Sequence, residues 1–355
     1  MYISRRVLLA FVVLYAAVIG GGHPIASSSA TLTPIRIGWQ TTWATQGQIT
    51  QTLKCTNVLT KNGLTGSFVG VSYGALLNEA ALAGEVDVIF TADQPAAALL
   101  ARSTDWVIIG RLMFNRVAMY VPPASPITTV VALKGKTILM PFGAAAQRVA
   151  FKALADAGLE PWRDINAVHL DITEQASIVK RGTASSWGEV DAMVGFDPMV
   201  AILETSKQAR IVHLGMVTSV IVMSQTYIHA HPDVPVQFLR AFQEAVLYYA
   251  HHVEQANTWF LHASQLTFGH DVLALAASVE PNLQAQTIGD VQITFTPALI
   301  AGMQEAADFL FAQKLVRRHL QIVDYIDQNY AESSYKTLTA GAYHPESVYV
   351  IETKC

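Results

Sequence analysis

Pairs of histidines are the first residues in this sequence of 355 that could do chemistry, because imidazole rings bind metal ions. His229 and His231 stand just before Pro232, and His251 and His252 are adjacent in a stretch with helical spacing. Neighbouring residues of a helix point in different directions, and neither pair has an evident third ligand. The sequence therefore predicts no metal site.

The motifs of familiar enzymes give no stronger lead. The sequence has no phosphate-binding glycine loop, no zinc-type His-Glu-x-x-His and no closely spaced set of cysteines. Its two cysteines, Cys55 and Cys355, are three hundred positions apart and could form a disulfide, for which their spacing gives no support. Cys55 falls in a predicted helix, where cysteine is more often a small buried apolar residue. These features indicate a binding protein without enzymatic activity or a cofactor.

The first thirty residues have the pattern of an export signal. Arg5 and Arg6 precede an apolar run of thirteen residues, Val7–Ile19, and Ser28–Ala30 supply small residues for cleavage. A helix needs about 20 residues to span a bilayer, so this run is too short for a permanent anchor. We therefore expect residues 1–30 to be removed and the mature protein to be free in the periplasm, not embedded in a membrane.

The charge of the chain limits its partners. Removal of the signal moves the formal net charge from −4 to −6, because it takes away two arginines and no acidic residue. A mildly acidic chain without a basic cluster excludes a nucleic-acid-binding function. The remaining length of about 325 residues exceeds what one hydrophobic core usually holds, so we expect two domains.

Short β-rich runs alternate with helical stretches from Thr33 onward, which predicts parallel sheets flanked by helices. The predicted strands of a first lobe are Ile35–Trp39, Ser67–Ser72, Val86–Thr91 and Val107–Leu112. A second cycle has predicted strands at Thr137–Met140, Ala167–Leu170, Asp191–Val194 and Arg210–Leu214, with a helix over Ala144–Ala157.

Two further strand-like runs, Asn115–Pro123 and Val217–Ser224, bracket the second cycle and bring its ends together. We predict a large lobe of residues 31–118 and 222–330, a small lobe of residues 119–221 and a tail of residues 331–355, whose role the sequence leaves open. A hinge of two segments joins the lobes. The cleft between them then lies at the carboxyl ends of the strands, where open α/β sheets bind ligands.

Four ordered segments carry a resemblance to a known family: Ile35–Trp39, Ala80–Asp93, Leu133–Ile138 and Glu189–Pro198. With them the sequence resembles the periplasmic solute-binding proteins of ABC importers for nitrate, taurine and aliphatic sulfonates. This group includes binders of thiamine-pyrimidine precursors, and the resemblance extends from about Pro34 to Lys314. It implies a type II periplasmic binding protein fold with two α/β lobes, whose hinge closes over a small molecule. It also implies a monomer that delivers this ligand to a permease and an ATPase.

The family's ligand contacts, carried over by position, fall after the strands on both sides of the cleft. In this chain they are Trp39, Gln40, Thr41, Trp43, Thr91, Asp93, Phe142, Gly143, Ala144, Phe196 and Asp197. Several have structural alternatives: the two tryptophans could pack in the core, Asp93 could cap a helix that starts near Pro95, and Asp197 could shape the turn before Pro198. The helix start at Gly143–Ala146 would offer backbone N–H groups to an anion.

Ala144, Ala145 and Ala146 stand where sulfonate and nitrate binders commonly have hydroxyl side chains, which argues against an anionic ligand. Carboxylates repel anions, and aromatic faces attract cations by roughly 0.5–2 kcal/mol each. The residues thus predict a small nitrogen-containing ligand, cationic or aromatic, with Asp93 and Asp197 as polar partners and a tryptophan as stacking face. Taurine, alkanesulfonates or nitrate are the alternative ligands that the resemblance implies.

Three rival functions share this pattern. A pyrimidine-phosphate synthase of the same fold is cytosolic and carries a cysteine-rich motif, which this sequence lacks, although a pyrimidine-precursor binder stays an alternative. A periplasmic lyase could use Asp93 as a base. A receptor ectodomain would need an additional membrane-spanning helix, and none follows Ile19.

Overall fold

A computed structural model of the chain describes residues 31–341 and 343–352. The predicted signal peptide and Cys355 lie outside this part. The strands are β1 (Thr33–Gln40), β2 (Leu64–Val71), β3 (Val88–Ala92), β4 (Trp106–Val121), β5 (Thr137–Met140), β6 (Asn166–His169), β7 (Ala192–Phe196) and β8 (Arg210–Ser224). The helices are α1 (Gln46–Cys55), α2 (Val58–Lys61), α3 (Gly74–Leu82), α4 (Asp93–Arg102), α5 (Ala145–Asp156), α6 (Gln175–Arg181), α7 (Met199–Thr205), α8 (Gln225–Ala230), α9 (Val234–His251), α10 (Val253–Ser264), α11 (His270–Ala277), α12 (Pro297–Ala312) and α13 (Asn329–Thr339).

All of these strands belong to one mixed sheet with the order β2-β1-β3-β8-β4-β7-β5-β6. The strands β4 and β8 lie at its centre and pair antiparallel from Trp106 opposite Ser224 to Val121 opposite Arg210. The pairs at the two ends of the sheet, β1 with β2 and β5 with β6, are parallel. The predicted alternation of strands and helices is therefore present, but in a single sheet.

Two predicted strand boundaries are wrong. Val107–Leu112 and Asn115–Pro123 were expected as separate strands and instead form β4, just as Arg210–Leu214 and Val217–Ser224 form β8. Neither strand contains a proline, and shifts of register such as that between Ile108 and Gly110 absorb the local irregularity without ending the pairing. The boundaries predicted for the lobes, at residues 118 and 221, lie inside these two strands.

Aromatic and aliphatic side chains fill the layer between the sheet and α9. Phe90 of β3 contacts Phe242 of α9 with ring centroids 5.8 Å apart in an edge-on arrangement, and both side chains are fully buried. Burial of such a side chain stabilises the fold by about 1.5–3 kcal/mol. Gly47 allows α1 to approach α10, because a Cβ atom there would lie 2.2 Å from the ring of Phe260.

The C-terminal tail, for which the sequence suggested no role, packs against the fold. Ser334 of α13 donates to Oε1 of Gln243 in α9 at 2.8 Å. Farther along, the amide of Ile351 donates to the carbonyl of Cys55 at 2.8 Å, and Tyr349 donates to Oδ1 of Asn57 at 2.9 Å. Cys55 is disulfide-bonded, so its interpretation as a merely buried apolar residue is wrong.

Candidate functional site

A small cavity opens where several strands end and the next helices begin. Its water-accessible volume is about 10 Å³, and it is lined by Gln40, Trp43, Gly74, Ala92, Pro95, Val117, Ala144, Ala145, Ala146, Phe196 and Val217. Most of these residues follow β1, β2, β3 or β5, or end β7, whereas Val117 and Val217 belong to the central strands. The carboxyl ends of strands in an open α/β sheet are the usual place for a ligand.

Four of the predicted site residues line this cavity, and several do not. Gln40, Trp43, Ala144 and Phe196 belong to the lining. Thr91 lies close by, because its Oγ1 would be 2.9 Å from a Cβ atom on Gly74.

Trp39 and Thr41 both pack over Gly70 of β2, where a Cβ atom would lie 3.2 Å from Nε1 of Trp39 and 2.5 Å from Thr41. Successive side chains of a strand point to opposite faces, which explains why Gln40 reaches the cavity and Trp39 does not. The stacking role predicted for a tryptophan thus has one candidate in the cavity, Trp43.

The segment before α5 is also placed differently from the prediction. Phe142 contacts Trp162 and His169, with ring centroids 5.7 Å and 5.6 Å away. Gly143 has a φ of 81°, in the region that favours glycine, and its amide donates to Oε1 of Gln147 at 3.0 Å. Neither residue belongs to the lining, so the contribution of this segment comes from the alanines that follow.

One wall of the cavity is an aromatic pair. The rings of Trp43 and Phe196 are tilted by 53°, with centroids 5.6 Å apart. Trp43 precedes α1, while Phe196 ends β7, so the contact joins residues from the two sides of the central strands. Nε1 of Trp43 is buried and has no hydrogen-bond partner among the described residues, which leaves one donor available at this wall.

Asp93, expected to be a partner for a cation, is already paired. Its Oδ2 accepts a short hydrogen bond from Nη2 of Arg148 in α5, and its Oδ1 accepts the amide of Gln94 at 2.7 Å. Burial raises the pKa of the Asp93 carboxyl, and Arg148 opposes that rise. The residue is the first of α4 and not its cap, since Ala92 occupies that position.

Asp197 is paired in the same way. Nε of Arg116 donates to its Oδ2 at 2.8 Å, and the amide of Ala201 donates to its Oδ1 at 2.9 Å, which fixes the turn into α7. Burial raises the pKa of this carboxyl too, against the effect of Arg116. The premise that Asp93 and Asp197 are carboxylates free to hold a cation is therefore wrong. Arg116 and Arg148 fall within apolar runs of the sequence, which indicates buried arginines that need carboxylate partners.

The start of α5 presents unused backbone donors to the cavity. Its cap is Ala144, which offers no side-chain hydrogen bond, and the amide of Gln147 donates to the Ala144 carbonyl at 3.0 Å. The amides of Ala145 and Ala146 donate to no acceptor within residues 31–341 and 343–352. Free N–H groups at a helix start, together with the helix dipole, favour a negatively charged ligand.

The expectation that the sequence has no Gly-x-Ser-x-Gly motif is wrong, because this pattern occurs at Gly70–Gly74, between β2 and α3. In hydrolases this pattern places a serine nucleophile on a strained turn. Ser72 does not have a positive φ angle, and its carbonyl accepts the Thr42 hydroxyl at 2.8 Å. No histidine of the described chain makes a hydrogen bond to Ser72, so this turn serves as the entry to α3.

The histidine pairs lie away from the cavity. His231 packs on Tyr227 at 4.8 Å, and His252 stacks on Tyr248 at 4.2 Å between ring centroids. No group of three or more potential metal ligands occurs among the described residues. Within the same part of the chain, no helix is both long enough and apolar enough to cross a membrane.

The chain is similar in sequence to a family of proteins and to a relative from Bacillus subtilis. A family model described as "NMT1/THI5 like" matches residues 60–256. The "Putative aliphatic sulfonates-binding protein" of Bacillus subtilis (strain 168) is 25% identical over 289 residues, which cover 79% of this chain and 82% of the relative.

Solved structures share the fold. The alkanesulfonate-binding protein SsuA of Xanthomonas axonopodis pv. citri bound to MOPS superposes with a TM-score of 0.67 at 20% identity, covering 84% of this chain and 100% of that one. The periplasmic aliphatic sulphonate-binding protein SsuA of Escherichia coli superposes with a TM-score of 0.67 at 22% identity. The match covers 83% of this chain and 92% of that one. The periplasmic nitrate-binding protein NrtA of Synechocystis PCC 6803 superposes with a TM-score of 0.63 at 12% identity. The match covers 87% of this chain and 90% of that one. The predicted fold class and the resemblance read from the sequence are confirmed.

Proposed function

Since the chain belongs to the NMT1/THI5-like family and its relatives are solute-binding proteins, we propose that it is the periplasmic solute-binding component of an ABC importer. We further propose that its cargo is a small organic anion of the sulfonate type. Its partners are then a permease and an ATPase, as the resemblance implies. One observation carries the choice of an anion: the start of α5 lines the cavity with unused N–H groups, and the described lining contains no carboxylate.

The charge of the site supports this choice over the cation predicted from the sequence. Asp93 and Asp197 each have an arginine partner, so neither offers uncompensated negative charge to a ligand. A buried cation without a counter-charge is strongly unfavourable. An anion at the start of α5, in contrast, would accept hydrogen bonds from the amides of Ala145 and Ala146 and lie at the positive end of the helix dipole.

The alanines at this helix start are compatible with an anion. Their side chains leave the backbone N–H groups uncovered, so the sulfonate oxygens would bind to the backbone alone. The rest of the lining, with Val117, Val217 and Phe196, provides apolar surface for a short carbon chain.

Ligand-driven closure follows from the way the cavity is assembled. Gln40, Trp43 and Ala92 precede the central strands in the order of the sheet, whereas Ala144–Ala146 and Phe196 lie beyond them. A ligand in contact with both groups binds most tightly when the two ends of the sheet are close, and it shifts the population towards that state. The same geometry weakens the lyase alternative, because Asp93 is held by Arg148 and is not free to act as a base.

Isothermal titration of the purified mature protein tests the proposal. Methanesulfonate, ethanesulfonate, taurine and nitrate are compared with guanidinium and an aminopyrimidine in the same buffer. We expect saturable one-to-one binding of sulfonates and none of the cations. Binding of guanidinium or the aminopyrimidine without any sulfonate binding would overturn the proposed cargo. Consumption of a bound sulfonate would instead show an enzyme.

A further inference from the structure

A fully buried asparagine in the middle of β4 has no partner for its side chain. Both amide atoms of Asn115, Nδ2 and Oδ1, lack a hydrogen-bond partner among the described residues, and its exposed fraction is 0%. Buried polar side chains of folded proteins almost always have a partner, whether protein, water or ligand. The asparagine therefore needs a partner that residues 31–341 and 343–352 do not supply.

The sheet register places Asn115 on the cavity side. It lies directly opposite Val217 of β8 and two residues before Val117 of the same strand. Residues opposite each other in an antiparallel pair, and residues two apart in one strand, have side chains on the same face. Val117 and Val217 both line the cavity, and Asn115 shares their face of the sheet without itself belonging to the lining.

Ser219 is a second unpartnered group on the same face. It lies two residues beyond Val217 in β8 and opposite Ala92 of β3, which also lines the cavity. Its Oγ is buried without a hydrogen-bond partner in the described chain, and its exposed fraction is 0%. Asn115 and Ser219 thus flank Val217 on adjacent central strands.

The side chains of Asn115 and Ser219 are uncharged, and each can both donate and accept hydrogen bonds. An amide donates through Nδ2 and accepts through Oδ1, and a serine hydroxyl does either. Neither group carries charge, and Asp93 and Asp197 are occupied by Arg148 and Arg116. A ligand hydroxyl matches these groups, whereas an ammonium would lose its hydration without gaining a counter-charge.

We propose that Asn115 and Ser219 form a polar subsite next to Val217, behind the present lining of the cavity, that selects short hydroxyalkanesulfonates over unsubstituted alkanesulfonates and over taurine. The inference rests on the proposed function, because the sulfonate head is assigned to the start of α5. Asn115 and Ser219 are then specificity residues for the other end of the ligand. A site with hydrogen-bonding groups discriminates strongly against an analogue that leaves those groups unpaired.

Three ligands that differ only at the end of the chain test this subsite. Ethanesulfonate, 2-hydroxyethanesulfonate and taurine are titrated calorimetrically into the wild-type protein, Asn115→Leu and Ser219→Ala. We expect 2-hydroxyethanesulfonate to bind the wild type at least about tenfold more tightly than either other ligand. The ratio of the two dissociation constants, ethanesulfonate over 2-hydroxyethanesulfonate, should fall towards one in both variants. Met119→Leu, on the same face of β4 but opposite His213 and away from Val217, should keep the wild-type ratio.

The outcomes separate this subsite from the proposed function. Equal binding of ethanesulfonate and 2-hydroxyethanesulfonate by the wild type, or tighter binding of taurine, overturns the subsite alone. A wild-type preference that persists in Ser219→Ala and Asn115→Leu overturns the assignment to these residues. If Asn115→Leu does not fold, Ser219→Ala decides. Absence of binding by all three ligands overturns the proposed function, and the subsite with it.

Discussion

Nε of Arg116 lies 2.8 Å from Oδ2 of Asp197, and this pair ties the central strand β4 to the turn that follows β7. The Arg116 side chain is 6% exposed and that of Asp197 is 0% exposed. Nη2 of Arg116 also donates to Glu204 of α7 at 3.0 Å. The pair therefore fixes one wall of the cavity next to Phe196.

Removal of one partner from this pair should destabilise the protein. Asp197→Asn removes the buried counter-charge and leaves the guanidinium with only the partly exposed Glu204, and we expect a loss of about 3 kcal/mol in the free energy of unfolding. Urea unfolding followed by circular dichroism measures it. Replacing Asp164, which is paired with the exposed Arg163, by Asn serves as the control and should change stability by less than about 1 kcal/mol. Equal effects would contradict the role of burial.

Ala145→Pro should weaken anion binding without unfolding the protein. Proline is tolerated at the first position of a helix and removes one N–H group, and the extended backbone of Ala144 suits a following proline. The lost hydrogen bond to a charged ligand should raise the dissociation constant for sulfonates by about tenfold or more. Calorimetric titration measures this change.

The matched control for that variant is His270→Pro. His270 is the first residue of α11, follows an extended residue and does not belong to the cavity lining. It should leave sulfonate affinity unchanged. An unchanged affinity in Ala145→Pro would show that the α5 amides do not hold the anion.

The strands and the strand-helix alternation could be predicted from hydrophobic period and turn residues, because these are local signals. The partners of Asp93 and Asp197 could not, since Arg148 and Arg116 are 55 and 81 residues away in sequence. A single sequence contains no record of such long-range pairs. The sequence therefore suggested two free carboxylates, and the structure shows that each is paired with an arginine.

Asn115 could have been singled out from sequence alone. It is a neutral polar residue within the run Phe114-Asn115-Arg116-Val117, in a segment predicted as extended. Arg116 points to the other face from Asn115, as alternation requires, and finds a carboxylate there. The absence of a partner for Asn115 became visible only when the surrounding strands were in place.

Acid should abolish one specific contribution to stability near the start of α8. The amide and hydroxyl of Thr226 donate to Oδ1 of Asp105 at 2.8 Å and 2.6 Å, and the Ser224 hydroxyl donates to Oδ2 at 2.7 Å. Although burial favours the neutral acid, these hydrogen bonds hold the pKa of Asp105 below its ordinary value. The stabilisation is thus complete above the ordinary pKa of about 4 and is lost as the pH falls through the lower folded value.

Asp105→Asn measures this contribution. We expect the variant to lose about 1 kcal/mol of stability at pH 7 and to approach the wild type as the pH is lowered towards 3. Urea midpoints at several pH values provide the test. A difference that grows towards low pH would have the wrong sign. Asp324→Asn, at an exposed position, is the control and should be nearly neutral throughout.

Reduction of the disulfide at Cys55 should destabilise the protein. Cys55 is disulfide-bonded, and its carbonyl accepts the amide of Ile351. We expect Cys55→Ser to lower the free energy of unfolding by about 2–4 kcal/mol, with a reduced Tm in calorimetry. Addition of a reductant should lower the Tm of the wild type but have no further effect on the variant. An unchanged Tm in both experiments would show that the bond does not contribute to stability.

The two central strands have a mechanical consequence. β4 and β8 are the two long central strands of the sheet, and they also contribute Val117 and Val217 to the cavity lining. Flexing of these strands would deform the surface of the proposed ligand site, so a bound ligand would stiffen both strands. The affinity for the ligand and the stiffness of β4 and β8 would then change together. Substitutions at the register shifts near Gly110 or Tyr120 would therefore alter the rate of ligand release without touching the ligand.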